Sequence, residues 1–244
     1  MSNIIKVKEP IILFHLIRLE LKKNKIGWFV KGTILANIII LGLLCMISVV
    51  EKSEDTKMLK DISGIFTISG ASVRGTFIVF SAVLISKMII NEFKNRTILI
   101  MFSYPINRKK ILSAKLIIIV CVTFIAMTIS HIVASLGFIG LNQIFHFTSA
   151  VSLTSNELLA EIIKIIMFSL TTAVAALVPL YFGMRKYSIP ATITSSLLIV
   201  MVTCQSAGPN FSLANIIYIP LALAVVALGI VVFAIRNIER IDLD

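Results

Sequence analysis

Long apolar runs constrain this sequence more than any other feature. A segment that crosses a hydrocarbon core must satisfy every backbone N–H and C=O internally, so it forms a helix. Because each helical residue rises about 1.5 Å, roughly 20 apolar residues cross a core of about 30 Å. The sequence therefore predicts an all-α integral membrane protein with six transmembrane helices. The predicted spans are residues 27–50, 66–90, 113–141, 162–183, 189–206 and 216–235.

The composition excludes a soluble domain. Hydrophobic side chains make up 58% of the 244 residues and charged ones only 14%, where soluble domains carry about a quarter. The three cysteines lie in apolar stretches without a short spacing, which indicates ordinary buried thiols. The first residues lack the features of a secretory signal, so we expect the N-terminus to stay in the cytosol. Pro179 and Pro220 are predicted to kink their helices.

The basic residues predict the orientation. Lys and Arg near span ends are retained on the cytosolic side, and they concentrate in alternate loops of this sequence. Of the outer loops, residues 142–156 and 207–215 have no Lys or Arg, and residues 51–65 carry only Lys52, Lys57 and Lys60. Both termini are therefore predicted to be cytosolic in a bacterial cytoplasmic membrane. The net charge of +11 then reflects topology and contact with anionic lipid rather than nucleic acid.

Two cytosolic elements stand out. Residues 1–26 are predicted to include an amphipathic helix in the inner interface, although Glu20 and Lys23 interrupt its apolar arc. The alternative is a helix that simply begins the first span. Residues 91–112 join the second and third spans and combine a polar helical stretch with a break at Tyr104-Pro105.

At this loop the chain resembles the permease subunits of type-2 ABC exporters. The family pattern there has a Glu, a Gly-Thr pair, a Pro, a small polar residue, an Arg and a Lys. The matching positions here are Glu92, Thr97, Pro105, Asn107, Arg108 and Lys115, with Arg96 in place of the usual Gly. The six-span plan with both ends inside also matches the family. An importer loop would instead need a downstream Gly that this sequence lacks.

The resemblance implies a coupling helix that docks into a separate cytosolic ABC ATPase. The expected partners are two ATPase copies, which bind the ATP and Mg²⁺, and a second permease, identical or related. The expected coupling residues are Glu92, Lys94, Arg96, Thr97, Met101, Phe102, Tyr104 and Arg108, the last as an anchor. The alternative for this loop is that its charges only report the positive-inside rule.

The chain itself is predicted not to be an enzyme. It contains no P-loop pattern to cradle ATP phosphates and no hydrolase motif. His15, His131 and His146 are far apart and form no metal-binding pattern, so neither a cofactor nor a metal is expected on this chain.

Three ionisable residues fall at membrane depth, where a charge is costly. Lys164, Arg74 and His131 are the candidates for a cargo path around an outward vestibule. The alternative is that Lys164 and Arg74 extend to the outer headgroups and His131 bonds to a neighbouring helix.

The sequence thus predicts an ATP-driven exporter permease. By analogy with compact members of the family, the expected cargo is an amphipathic peptide or hydrophobic antibiotic, as in antimicrobial peptide export or self-immunity. The rival interpretations are a membrane scaffold or sensor that binds a cytosolic protein through residues 91–112, and an undiagnosed membrane enzyme. Whether residues 205–214 re-enter the bilayer is left open.

Overall fold

The computed structural model describes residues 17–21, 27–54, 62–95, 108–145, 155–204 and 218–237. These residues are almost entirely helical, and residues 17–21 form one helical turn ahead of the first long helix. Among the described residues there is no strand, as expected where a lipid core forces each segment to satisfy its own backbone.

The helices are numbered here in chain order. A π-helical turn, Ser86–Ile90, directly joins the helix Ile62–Ile85 to the helix Asn91–Lys94. The helices are α1 (Gly27–Glu54), α2 (Ile62–Ile85), α3 (Asn91–Lys94), α4 (Arg108–Phe145), α5 (Ser155–Ala175), α6 (Pro179–Lys186), α7 (Ile189–Cys204) and α8 (Tyr218–Asn237).

Within the described residues, five segments are long and apolar enough to cross a membrane. They are Gly27–Val49, Thr67–Lys94, Lys109–Leu141, Ile162–Arg185 and Tyr218–Arg236. The all-helical, multi-span prediction is therefore confirmed. The predicted fifth of six spans corresponds to α7, a shorter apolar helix of 16 residues, and its full crossing stays a prediction. The predicted interfacial helix lies outside the described residues except for 17–21, and most of the predicted coupling loop, 96–107, lies outside them as well.

The second span is the centre of the bundle. It packs against α4 and α7, while α4 in turn packs against α1 and α5, and α5 against α8. Along its most apolar stretch 61% of the residues are buried, against 28% in the first span and 17% in the last. Val73, Phe77, Ile78 and Ala82 of α2 are fully enclosed. Motion of the second span must therefore displace α4 and α7, which pack against it.

The fourth span is interrupted where Pro179 was predicted to kink it. Proline has no N–H, and residues 176–178 form a tight turn in which Leu177 and Val178 donate to carbonyls three residues back. Leu180 likewise donates to Leu177, so the Ala176 carbonyl is left for another donor. The Ser81 hydroxyl of α2 donates to it across 3.3 Å. The interruption thereby fastens the fourth span to the second.

Gly183 lets α6 approach its neighbours closely. A Cβ atom at this position would collide with Thr192 Oγ1 of α7 and would lie 2.8 Å from Ile90 Cδ1 of the π-helical turn. By contrast, a Cβ at Gly229 of α8 would meet nothing within 4 Å. Of these two glycines, Gly183 is required for close packing and Gly229 is not.

We predict that Gly183→Ala destabilises the protein by about 1 to 3 kcal/mol, because one extra methyl overpacks this contact. The matched Gly229→Ala variant is expected to be neutral or stabilising by up to about 1 kcal/mol, since alanine favours the helix. Thermal unfolding in detergent measures both. Equal effects of the two substitutions would contradict the packing role of Gly183.

Candidate coupling site at the inner end of the bundle

The end of the bundle that carries Glu92 is predicted to face the cytosol and is called the inner end here. It contains a buried cation. The Lys115 side chain is 1% exposed, and its Nζ lies 3.0 Å from Glu20 Oε1 and 2.9 Å from Glu92 Oε2. It also donates to the Met88 carbonyl at 3.1 Å. We call these four residues the Lys115 network.

The network matches the chemistry of an ammonium group. Lysine has three N–H donors and no acceptor, and three acceptors surround Nζ in this structure. The neighbouring side chains on α4, Leu112, Leu116 and Ile119, are buried and apolar, so the ammonium receives little help from water. A buried charge is tolerated only when it is paired and hydrogen-bonded, and this one is.

The network joins three parts of the chain that are far apart in sequence. Glu20 lies in the helical turn before the first span, Met88 and Glu92 follow α2, and Lys115 lies near the start of α4. The carboxylates of Glu20 and Glu92 are themselves buried. The Lys115 ammonium group therefore connects α4 with α3, with the π-helical turn and with the helical turn at residues 17–21.

The π-helical turn supplies one of the acceptors. Ser86–Ile90 adds one residue to the turn, and the Asn91 N–H reaches back to the Ser86 carbonyl. Ser86, Met88, Ile89 and Ile90 are all buried. Such insertions in α-helices are often found at functional sites, and here the turn carries the carbonyl that Lys115 contacts.

An aromatic pair fixes the start of the loop from the other side. Phe93 of α3 is buried and stacks on Tyr187 with ring centroids 5.7 Å apart and an interplanar angle of 19°. Tyr187 follows α6 and has a left-handed backbone with φ 46°, which is uncommon for a residue other than glycine. This conformation turns the chain between α6 and α7 and places the ring against Phe93.

The structure describes three of the predicted coupling residues. Glu92 belongs to the Lys115 network, and Lys94 is exposed at the end of α3. Arg108 is the first residue of α4. The remaining predicted contacts lie outside the described residues, namely Arg96, Thr97, Met101, Phe102 and Tyr104. Their docking role stays a prediction.

The structure brings two of the three predicted cargo-path residues together. Arg74 and His131 are both buried, each 4% exposed, and both approach Gly70 of α2. Lys164 is exposed on α5 instead.

Sequence reasoning missed the role of three residues at the inner end. Glu20 was noticed only as an interruption of an apolar arc, although an acid at such a position is itself a signal of a buried partner. Phe93 and Tyr187 gave no signal, because an aromatic residue at helical spacing looks like any core residue.

The apolar helical spans and the Lys115 network together indicate the class of protein. This is a multi-span helical membrane protein in which a buried ion pair joins the helices on either side of the loop between the second and third spans. Such an arrangement suits a membrane subunit that receives force from a separate protein.

The comparisons with known proteins identify the family. Residues 16–202, more than half of the chain, match the model of the "ABC-2 family transporter protein". The chain therefore belongs to the ABC-2 family of transporter membrane proteins. Members are non-catalytic transmembrane permease subunits that work with a partner ABC ATPase in a lipid membrane.

A relative in Bacillus subtilis (strain 168) carries the name "Uncharacterized protein YcbO". It is 46% identical over 228 residues, which cover 93% of this chain and 99% of the relative. No solved structure matches the chain.

We predict that Lys115→Met lowers the free energy of unfolding by about 3 to 5 kcal/mol, because two buried carboxylates lose their cation. Neutralising all three groups in Glu20→Gln/Glu92→Gln/Lys115→Met is expected to restore part of that loss. Chemical unfolding in detergent gives the values.

The control is Lys94→Met, which removes an exposed lysine from the same inner end and is expected to change stability by less than about 0.5 kcal/mol. A Lys115→Met variant as stable as Lys94→Met would show that the network does not hold the fold together.

Proposed function

We propose that this chain is the permease subunit of an ATP-driven exporter. In this proposal it pairs with a second permease, identical or related, and with two cytosolic ABC ATPases, and it moves an amphipathic peptide or hydrophobic antibiotic out of a bacterial cell. The observation that carries the proposal is the Lys115 network, because it fixes the base of the loop between the second and third spans.

The first step concerns how force enters the bundle. A docked element transmits motion only if its flanks do not absorb it locally. Residues 96–107 begin just after α3 and end at α4, and the Glu92–Lys115 ion pair connects these two flanks at 2.9 Å. A push on the loop therefore acts on the second and third spans together.

The second step concerns where the motion goes. Phe93 stacks on Tyr187 between α6 and α7, and the turn that precedes α3 packs on Gly183 of α6. The second span also contacts α4 and α7 along its length. Displacement of α3 therefore reaches the fourth and fifth predicted spans without passing through a flexible link. In this scheme Glu20 and Lys115 are positioning residues, and the exposed Lys94 is available to a partner.

The third step concerns the cargo. A groove of about 990 Å³ lies between α1, α2 and α7. Its lining is almost wholly apolar, with Leu35, Ile39 and Leu43 from α1 and Val79 and Val83 from α2. A second apolar groove of about 530 Å³ lies between α1 and α4. Apolar surfaces of this kind favour a hydrophobic or amphipathic molecule over a hydrophilic solute.

We predict that Glu20→Gln separates ATP hydrolysis from transport. The substitution keeps the size of the side chain and removes one of the two charges that hold Lys115. In complex with a partner ABC ATPase, the variant is expected to assemble and hydrolyse ATP at about the wild-type rate. Export of a labelled amphipathic peptide from proteoliposomes is expected to fall by roughly tenfold, the factor that 1.4 kcal/mol produces.

The control is Arg236→Met, which alters an exposed basic residue in the last turn of α8. It is expected to leave both rates unchanged. If the wild-type chain recruits no ATPase, the exporter proposal is wrong and a scaffold that binds another cytosolic protein is favoured. If Glu20→Gln exports at the wild-type rate, the exporter stands but the network has no part in coupling.

A further inference from the structure

The outer half of the bundle contains an arginine, Arg74, for which the described part of the chain supplies no carboxylate partner. Arg74 of α2 is 4% exposed, and its Nε atom has no hydrogen-bond partner. Among the described residues no carboxylate lies within ion-pair distance of it. The Phe168 ring of α5 lies beside it, with the ring centroid 4.8 Å from the guanidinium carbon.

A second polar group lies beside it. His131 of α4 is also buried, and its Nε2 atom has no hydrogen-bond partner. The two side chains meet over Gly70, because a Cβ there would lie 3.4 Å from His131 Cε1 and 3.8 Å from Arg74 Nη2. Three helices thus bring two unsatisfied nitrogen groups and one aromatic face together.

The depth of this cluster follows from helix geometry. His131 lies on the same uninterrupted helix as Lys115 and about 24 Å further along its axis, at about 1.5 Å per residue. With the Lys115 network at the inner end, the cluster is near the opposite limit of a hydrocarbon core about 30 Å thick. At this depth the cluster is buried in the protein, in the outer part of the predicted membrane core.

The guanidinium cannot escape its cost by losing a proton, because arginine stays charged at all pH values met in proteins. A cation–π contact replaces only part of the lost hydration. A buried charge of this kind is stabilised by an anion, and the described residues supply no carboxylate within ion-pair distance of it. Ionisable groups inside membrane bundles commonly mark ligand or ion pathways for this reason.

We propose that Arg74 and His131 form a binding site for the carboxylate or phosphate group of an amphiphile. The fork of N–H donors on arginine matches the two oxygens of such an oxyanion, and the imidazole adds one more donor or acceptor. The ligand must have an apolar body, because the site lies within the bundle and beside the Phe168 ring. The binding site itself does not depend on the proposed function. Only the identification of its ligand as the cargo rests on that function.

The test measures binding without any transport. The purified full chain in dodecyl maltoside is titrated with dodecanoate, dodecyl phosphate, dodecanol and inorganic phosphate, and thermal unfolding reports the ligand-induced shift. Dodecanoate, dodecyl phosphate or both are expected to raise the unfolding temperature in a saturable way. A response to dodecanoate alone assigns the site to a carboxylate, and a response to dodecyl phosphate alone assigns it to a phosphate such as that of a lipid headgroup.

The variants separate binding from folding. Arg74→Met is expected to weaken the apparent affinity by roughly tenfold to a hundredfold, as expected for lost charge-assisted hydrogen bonds. Without ligand it is expected to be at least as stable as the wild type, because it removes a buried cation that lacks a protein counter-ion. His131→Phe keeps the guanidinium and is expected to weaken binding by a smaller factor.

The matched control is Lys87→Met. Lys87 is also on the second span and also lies over an aromatic ring, Trp28, at 4.9 Å, but it is exposed. Its loss is expected to leave the affinity unchanged.

An equal response to dodecanol or to inorganic phosphate, or an unchanged affinity in Arg74→Met, would overturn the proposal. The titration contains no ATPase and measures binding alone. If the chain binds these amphiphiles but its complex with the ATPase exports nothing, only the proposed function is refuted. A chain that exports without binding them refutes only the site.

Discussion

The arrangement of helices at the inner end depends on the acceptors that surround the buried Lys115 ammonium group. Removing an amine from water costs several kcal/mol even after relaxation, and only well-placed acceptors offset that cost. Lys115 obtains them from Glu20, Glu92 and the Met88 carbonyl, all within about the same distance. These acceptors belong to separate parts of the chain, so the requirement of one charge fixes the relative positions of the N-terminal helical turn, the second span and the third span.

The same two helices connect the inner network with the outer cluster. The second span carries Glu92 at one end and Arg74 toward the other, and α4 carries Lys115 and His131 in the same order. Because the Lys115 network joins the inner ends of these two helices, a displacement of that end is carried along both helices to Arg74 and His131. In the proposed exporter, motion driven by the ATPase would thus reach Arg74 and His131, the proposed binding site for the acidic end of a cargo, along these two helices.

The sequence predicted the features that depend on local composition. The apolar runs gave the membrane class and five of the spans, because hydrophobic length is a property of each segment alone. Pro179 indicated the break in the fourth span for a similarly local reason. The 16-residue α7 shows the limit of this approach, since an apolar run does not determine where its helix ends.

The candidate site was predicted only in part, for physical reasons. Glu92 and Lys115 came from a family resemblance, but the pairing of Lys115 with Glu20 depends on how an N-terminal helical turn packs against α4. No local pattern contains that information. The π-helical turn and the left-handed Tyr187 likewise arise from tertiary packing around Phe93 and Gly183, which overrides local preference.

The central claim is that α3 and the start of α4 move as one rigid body when the ATPase acts. Spin labels on Lys94→Cys and Ile117→Cys, both exposed positions, report the distance between these elements in the reconstituted complex once the free thiols Cys45, Cys121 and Cys204 are replaced by serine. The account predicts one narrow distance distribution that is the same with and without bound ATP, and a broad one when Lys115→Met is added. A distance that changes with nucleotide in the otherwise wild-type chain would contradict it.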